Sequence, residues 1–121
     1  VSSEPPIIAL AVHNTHQSSR LIDPHGGFVV NLIAENNSEI AKAYYGPAES
    51  GYQKLAHADV DTSPVTKSPL LKGALGYLDC MLVNKVAVGN HTIFLGEVKA
   101  AELHQDSPIL TASGSKLRYL G

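Results

Sequence analysis

The sequence predicts a mainly β domain with short helices, a small barrel carrying helical plugs. Three observations carry that expectation. Short apolar runs rich in β-branched residues, Ile7 to Val12 and Gly27 to Ile33, have the length and composition of strands. Two long segments, Leu75 to Val86 and His91 to Leu103, flank Val88-Gly89-Asn90 and read as a hairpin turning near Gly89-Asn90. Finally, 121 residues with 44% apolar and 17% charged side chains supply one core and not two.

Taken in order, Pro5-Pro6 precedes the run Ile7 to Val12, whose unbroken apolar character predicts a strand buried on both faces. His13 to Ser19 is polar and holds several N-cap residues, so it reads as a loop leading into one or two helical turns at Arg20-Leu21-Ile22, before Asp23-Pro24 and Gly26-Gly27 break the chain. The second strand, Gly27 to Ile33, is apolar on both faces except for Asn31. Asn36 stands three residues before Glu39, a capping-box-like start for a helix through Tyr45, stopped by Gly46-Pro47. Ala48 to Ser68 reads as a long loop with one turn around Tyr52 to Leu55. After the hairpin come Ile109 to Thr111, a Gly114 turn and a closing strand over Lys116 to Leu120.

Composition excludes several functional classes. Nine basic against eleven acidic residues, with no Lys/Arg run, exclude a general nucleic-acid binder. The longest apolar run, Ile7 to Val12, is far below bilayer length, so no membrane span is expected. Cys80 is alone, which rules out an internal disulfide or a thiolate metal site and favours a reducing, cytoplasmic setting. The Asn36 and Asn90 sequons matter only in a secreted chain and are read as chance.

Conventional catalytic motifs do not appear. The six histidines include His13 and His16 close together, but no helical His-x3-His frame or carboxylate cluster accompanies them, so no metal is predicted. Cys80 sits mid-strand among apolar residues, where burial raises a thiol pKa and keeps it inert. The turn from Asn14 to Arg20 is different. It gathers hydroxyls, backbone N–H groups and one guanidinium at the positive end of a helix dipole, which suits an anion or phosphate; ordinary N-capping by Thr15, Ser18 or Ser19 suits the same spacing. Asn31, inside a strand, needs hydrogen-bond partners, which backbone or ligand can supply. His91 follows the hairpin turn and faces either a cleft or solvent.

In order along the chain, five stretches resemble the flavin reductase-like family, whose fold is the FMN-binding split barrel. Val1-Ser2-Ser3-Glu4-Pro5-Pro6-Ile7-Ile8 is similar to the family's S-V-S-x-x-P-P-hydrophobic opening, and Gly27-Phe28-Val29-Val30-Asn31-Leu32 to its G-x-F-x-V-N strand. Pro69 to Cys80 resembles P-x-L-x-G-A-L-A-x-L-E-C, and Gly89 to Val98 resembles G-D-H followed by two hydrophobic residues and G-E-V. Pro108-Ile109-Leu110 with Lys116-Leu117-Arg118-Tyr119-Leu120 resembles the closing segment.

The resemblance implies an NAD(P)H-dependent flavin reductase, a homodimer that binds FMN or FAD near the dimer interface and accepts electrons from NADH or NADPH. Many relatives are reductase partners of two-component monooxygenases. It also leaves open a flavoredoxin-like FMN-binding electron carrier, or a non-catalytic degenerate member of the fold. By position, Ser2 matches a flavin-contacting serine. Thr15, Ser18 and Ser19 fall in the loop that meets flavin or its phosphate, and Asn31 lies on the strand flanking the flavin. His91 matches a histidine beside the nicotinamide site and is the catalytic candidate. Arg118 and Tyr119 match a terminal segment that approaches the dinucleotide. Asn90 stands where the family has aspartate, and the family pattern begins a few tens of residues further upstream. The expectation is one flavin reductase-like domain over 1–121, N-terminally incomplete.

Overall fold

A computed structural model describes residues 1–44 and 60–117. Its centre is a five-stranded antiparallel sheet. The strands are β1 (Ser2–Ser3), β2 (Pro6–His13), β3 (Gly27–Leu32), β6 (Gly76–Val88) and β7 (His91–Leu103), in the spatial order β1-β2-β7-β6-β3. A separate two-stranded ribbon joins β4 (Asp61–Thr62) to β5 (Pro69–Leu70). Helix α1 (Gln17–His25) connects β2 to β3, α2 (Ser38–Ala43) follows a 3-10 turn at Glu35–Asn37, and α3 (Ala112–Ser115) lies near the end.

The β6–β7 hairpin organises everything else. Its turn is Gly89-Asn90, as the sequence predicts, with Gly89 at φ +57, a conformation a side chain would strain. From His91 the chain runs back along β6, and β2 then adds to the far side of β7 with His13 opposite His91 and Ile7 opposite Glu97. β3 adds to the other side of β6, pairing Gly27 with Met81 and Leu32 with Gly76.

The core is made where α1 closes on the sheet. Val12, Ile22, Phe28, Cys80 and Phe94 are buried together, with Leu10, Val30, Leu78, Leu82 and Val98 packed around them. Phe28 needs room to lie across β7. Gly96 provides it, since a Cβ there would stand 2.6 Å from Phe28 Cζ and 2.9 Å from Cys80 Cβ.

Several local expectations change. In β2 only Val12 is buried and Ala9 and Ala11 are exposed, so the strand covers one face of the core and is not enclosed on both. β3 is similar, with Gly27 and Phe28 buried and the rest half-buried. Helix α1 runs through Asp23-Pro24 and stops only at Gly26, whose N–H donates to the Ile22 and Asp23 carbonyls at 2.9 and 3.1 Å. Pro24 is tolerated because it sits in the last turn, where one missing N–H costs little, and left-handed Gly26 supplies the true stop. Asn36 falls inside the 3-10 turn and makes no cap; Asn37 precedes α2, which ends at Ala43. Part of the expected long loop is the ordered β4–β5 ribbon, while the predicted turn at Tyr52 to Leu55 and the stop at Gly46-Pro47 lie outside the described residues. At the expected Gly114 turn the chain forms α3 and reaches Lys116 at φ +59, while most of the expected closing strand over Lys116 to Leu120 lies outside the described residues.

Candidate functional site

Three of the residues singled out by sequence converge at the hairpin tip. The β2–β7 register sets His13 beside His91, with ring centroids 5.0 Å apart in an edge-on arrangement. His13 also reaches forward. Its Nδ1 accepts the Thr15 backbone N–H at 3.2 Å, lies 2.9 Å from Thr15 Oγ1, and its ring stands 5.5 Å from that of His16. Asn14 fastens the loop to the hairpin: its N–H donates to the Asn90 carbonyl at 2.9 Å, and its Oδ1 accepts from Thr92 Oγ1 at 2.8 Å. Asn90 Oδ1 is 2.7 Å from His91 Nδ1, so the amide that replaces the family's aspartate still contacts the imidazole.

The same loop opens α1, and it does so without a side-chain cap. His16 is the N-cap residue, no side chain bonds the first turn, and no acidic residue stands in it. The capping expected of Thr15, Ser18 or Ser19 is absent because His16 takes the N-cap position: Thr15 lies before it, with its hydroxyl against His13, and Ser18 and Ser19 lie inside the first turn. An uncapped helix start carries N–H groups and positive potential toward whatever lies before it. Along the flank of α1, from Ser19 toward its last turn, runs a cavity of about 540 Å³ whose wall includes Ser19, Arg20, Asp23, Lys85, Thr92 and Phe94. Lys85 is ion-paired with Asp23. The cavity thus brings the Arg20 guanidinium together with the Ser19 and Thr92 hydroxyls, a donor set that fits a phosphate such as that of a flavin.

A second cavity, about 720 Å³, lies at the other end of the sheet and is lined in part by Asp61, Lys72, Tyr77, Glu102 and His104. Tyr77 donates to Glu102 at 3.4 Å, and Glu102 also meets His104 at 3.7 Å. Burial, then the Glu102 charge, push the Tyr77 phenol above its usual range. Its two carboxylates suit a phosphate less well than the α1 cavity does, where the one carboxylate, Asp23, is ion-paired with Lys85.

The remaining predicted positions are dispersed. Ser2 pairs with Ile7, which places it about 20 Å along the strand from His13. Ser18 is exposed on α1. Asn31 pairs with Tyr77, about 35 Å along β6 from the residue opposite His91. Both ends of its amide are taken by backbone: Nδ2 donates to the Pro69 carbonyl at 3.2 Å and Oδ1 accepts the Leu71 N–H at 3.1 Å, so Asn31 ties β5 to β3. Arg118 and Tyr119 lie outside the described residues.

Two roles escaped the sequence reading. His13 links Thr15 to His91, and the signal for it is only the strand register, which no local pattern reveals. Asp79 is fully buried and accepts from Val65 and Thr66, holding the turn between β4 and β5 against β6.

Comparison with known proteins gives the family. The model of the flavin reductase like domain matches residues 1–121. The chain belongs to that family. The reductase subunit HsaB of a flavin-dependent monooxygenase from Rhodococcus jostii is 31% identical over 94% of this chain and 57% of its own length. Among solved structures, the flavin reductase component BorF of a bacterial two-component tryptophan halogenase superposes with a TM-score of 0.74 at 27% identity, covering 87% of this chain and 66% of that one. The NADH:FAD oxidoreductase SgcE6 of Streptomyces globisporus has a TM-score of 0.78 at 24% identity, with 90% and 65% covered, a likeness of fold. The architecture is therefore the split barrel of flavin reductases. The chain spans somewhat under two thirds of the length of these relatives. No helix among the described residues is long and apolar enough to cross a membrane.

Proposed function

We propose that the protein is an NAD(P)H-dependent flavin reductase that transfers hydride from NADH or NADPH to bound FMN or FAD and supplies reduced flavin to a partner monooxygenase. The cavity on the flank of α1 carries this reading, because it sets the Arg20 guanidinium beside the Ser19 and Thr92 hydroxyls next to the uncapped first turn. The names of the relatives support the rest: two are reductase components serving a monooxygenase and a halogenase, and one is an NADH:FAD oxidoreductase.

Flavin supplies the redox chemistry, taking hydride from nicotinamide and handing electrons on. The chain needs no acid–base dyad. Arg20 and Ser19 would hold the flavin phosphate, while Thr92 and Phe94 wall the cavity. His91, at the hairpin tip beside His13, orients the nicotinamide. Ser2, Thr15, Ser18 and Asn31 belong to the same flavin-binding surface as the resemblance assigns it, and Arg118 and Tyr119 to the dinucleotide side. Because Ser2 and Asn31 stand far from His91 in one chain, a homodimer is the assembly in which these positions serve one site. The β2 edge from Ile8 to His13 pairs with no described strand on the side away from β7, which leaves it open to such an assembly. The whole is one flavin reductase-like domain, and the free, buried thiol of Cys80 supports a cytoplasmic setting.

The test is a flavin titration of the intact protein followed by NADH and NADPH oxidation with saturating FMN. Uptake of flavin with nicotinamide oxidation is expected. No uptake refutes the reading, and uptake without oxidation selects a flavoredoxin-like carrier. His91→Ala should slow reduction more than it weakens flavin binding.

A further inference from the structure

We infer that His13 is a positioning residue that sets the flavin-seat loop and the nicotinamide-side histidine in a fixed relation through two different parts of one ring. The inference rests on the functional reading above. Its first half is a turn. The His16 N–H donates to the His13 carbonyl at 2.9 Å, so residues 13–16 form a β-turn, and the His13 side chain closes it from inside by accepting the Thr15 N–H at Nδ1. Asparagine and aspartate close such turns with their side-chain oxygen two residues back from the N–H; here Nδ1 takes that place.

The backbone N–H favours one tautomer. A hydrogen directed at Nδ1 calls for a lone pair there, which puts the ring proton on Nε2, and the Thr15 hydroxyl lies 2.9 Å from the same nitrogen. The same turn sets His16 at the N-cap of α1, where no side chain caps the helix. The second half is the ring itself. Its T-shaped contact with His91, at 5.0 Å, rests on ring shape and not on Nδ1. The two contacts are separable by chemistry, since an asparagine keeps the acceptor and loses the ring, while a phenylalanine keeps the ring and loses the acceptor.

The experiment compares His13→Ala, His13→Asn and His13→Phe in the intact protein, each checked for the wild-type melting temperature. Readouts are FMN affinity, kcat and KM for NADH, and hydrogen exchange of the Thr15 amide. Alanine should weaken FMN binding about tenfold, the size of one lost hydrogen bond, and should lower kcat as well. Asparagine should restore FMN affinity and Thr15 amide protection while leaving kcat low. Phenylalanine should restore kcat and not FMN affinity. Equal rescue of both by either variant, or by neither, overturns the assignment. Should the wild type bind no flavin, the functional reading fails alone: the exchange pattern, with Thr15 protected in wild type and His13→Asn and unprotected in His13→Ala and His13→Phe, still decides the turn. A ¹⁵N shift of protonated character at Nδ1 in the wild-type protein at pH 8 also overturns it.

Discussion

Val65 donates its backbone N–H to the Asp79 carboxylate at 2.8 Å. Thr66 adds its own N–H at 3.3 Å to each oxygen and its hydroxyl at 2.6 Å, and the hydroxyls of Ser63 and Ser68 extend the chain outward to His25 Nε2. A fully buried carboxylate is thus the anchor for the turn that joins β4 to β5. Burial alone would raise its pKa. The hydrogen bonds from Thr66, Val65 and Ser63 outweigh that and hold it below the ordinary aspartate range.

The expected outcome of Asp79→Asn follows from this count of donors. The amide presents its NH2 to groups that are themselves donors, and stability should fall by about 2–3 kcal/mol, a drop in melting temperature on the order of ten degrees. The pH dependence has a definite sign. A group with a lowered folded pKa contributes fully above its unfolded value, near pH 4, and the contribution is lost as pH falls through the folded value. Urea melts from pH 7 to pH 3 should therefore show the gap between wild type and variant closing only below about pH 4. A gap that is constant with pH would mean that charge at Asp79 does not matter.

Gly96 and Phe28 make a second prediction. A methyl group at 96 would press on the Phe28 ring edge and on Cys80 Cβ at once, and neither can leave a packed core. Gly96→Ala should cost about 1–3 kcal/mol by overpacking. Phe28→Leu in the same chain should recover part of it, because the shorter side chain frees the space. Simple additivity of the two losses in denaturant melts would show that they do not touch.

How much of this was readable beforehand differs by element. The β6–β7 hairpin was legible because Gly89-Asn90 and its flanking alternation are local signals. The length of α1 was misread since Pro24 is a break in sequence statistics and only a missing bond in the last helical turn, while Gly26 is the stop. Thr15, Ser19 and His91 are singled out by composition and resemblance. Their relation through His13 was not, because it follows from pairing residue 13 with residue 91 across two strands. Asp79 looked like any strand acid, and its donors come from a turn more than ten residues away.

Cys80 gives a prediction about reactivity. It is fully buried between Phe28 and Gly96, and burial followed by the neighbouring Asp79 charge push the thiol up to about 11. At pH 8 about one thiol in a thousand is then ionised. Labelling by a disulfide reagent should proceed at the rate of unfolding, accelerate with urea, and show no fast phase in the native protein. A rapid stoichiometric reaction at neutral pH would place the thiol in a different environment.

Arg20 distinguishes the phosphate end of the ligand from its ring. It stands in the wall of the 540 Å³ cavity near the uncapped start of α1, whereas the other cation there, Lys85, is already paired with Asp23. Removing the guanidinium in Arg20→Gln should therefore weaken FMN binding about tenfold, within the range for one charge-assisted hydrogen bond. Riboflavin, which lacks the phosphate, should bind the wild type and the variant equally. The FMN difference should also shrink between low salt and about 0.5 M salt, because an exposed ion pair is screened. Fluorescence titration of the two ligands against the two proteins reads all of this directly. Equal weakening of FMN and riboflavin would assign Arg20 to the ring, and no weakening of either would move the phosphate seat away from α1.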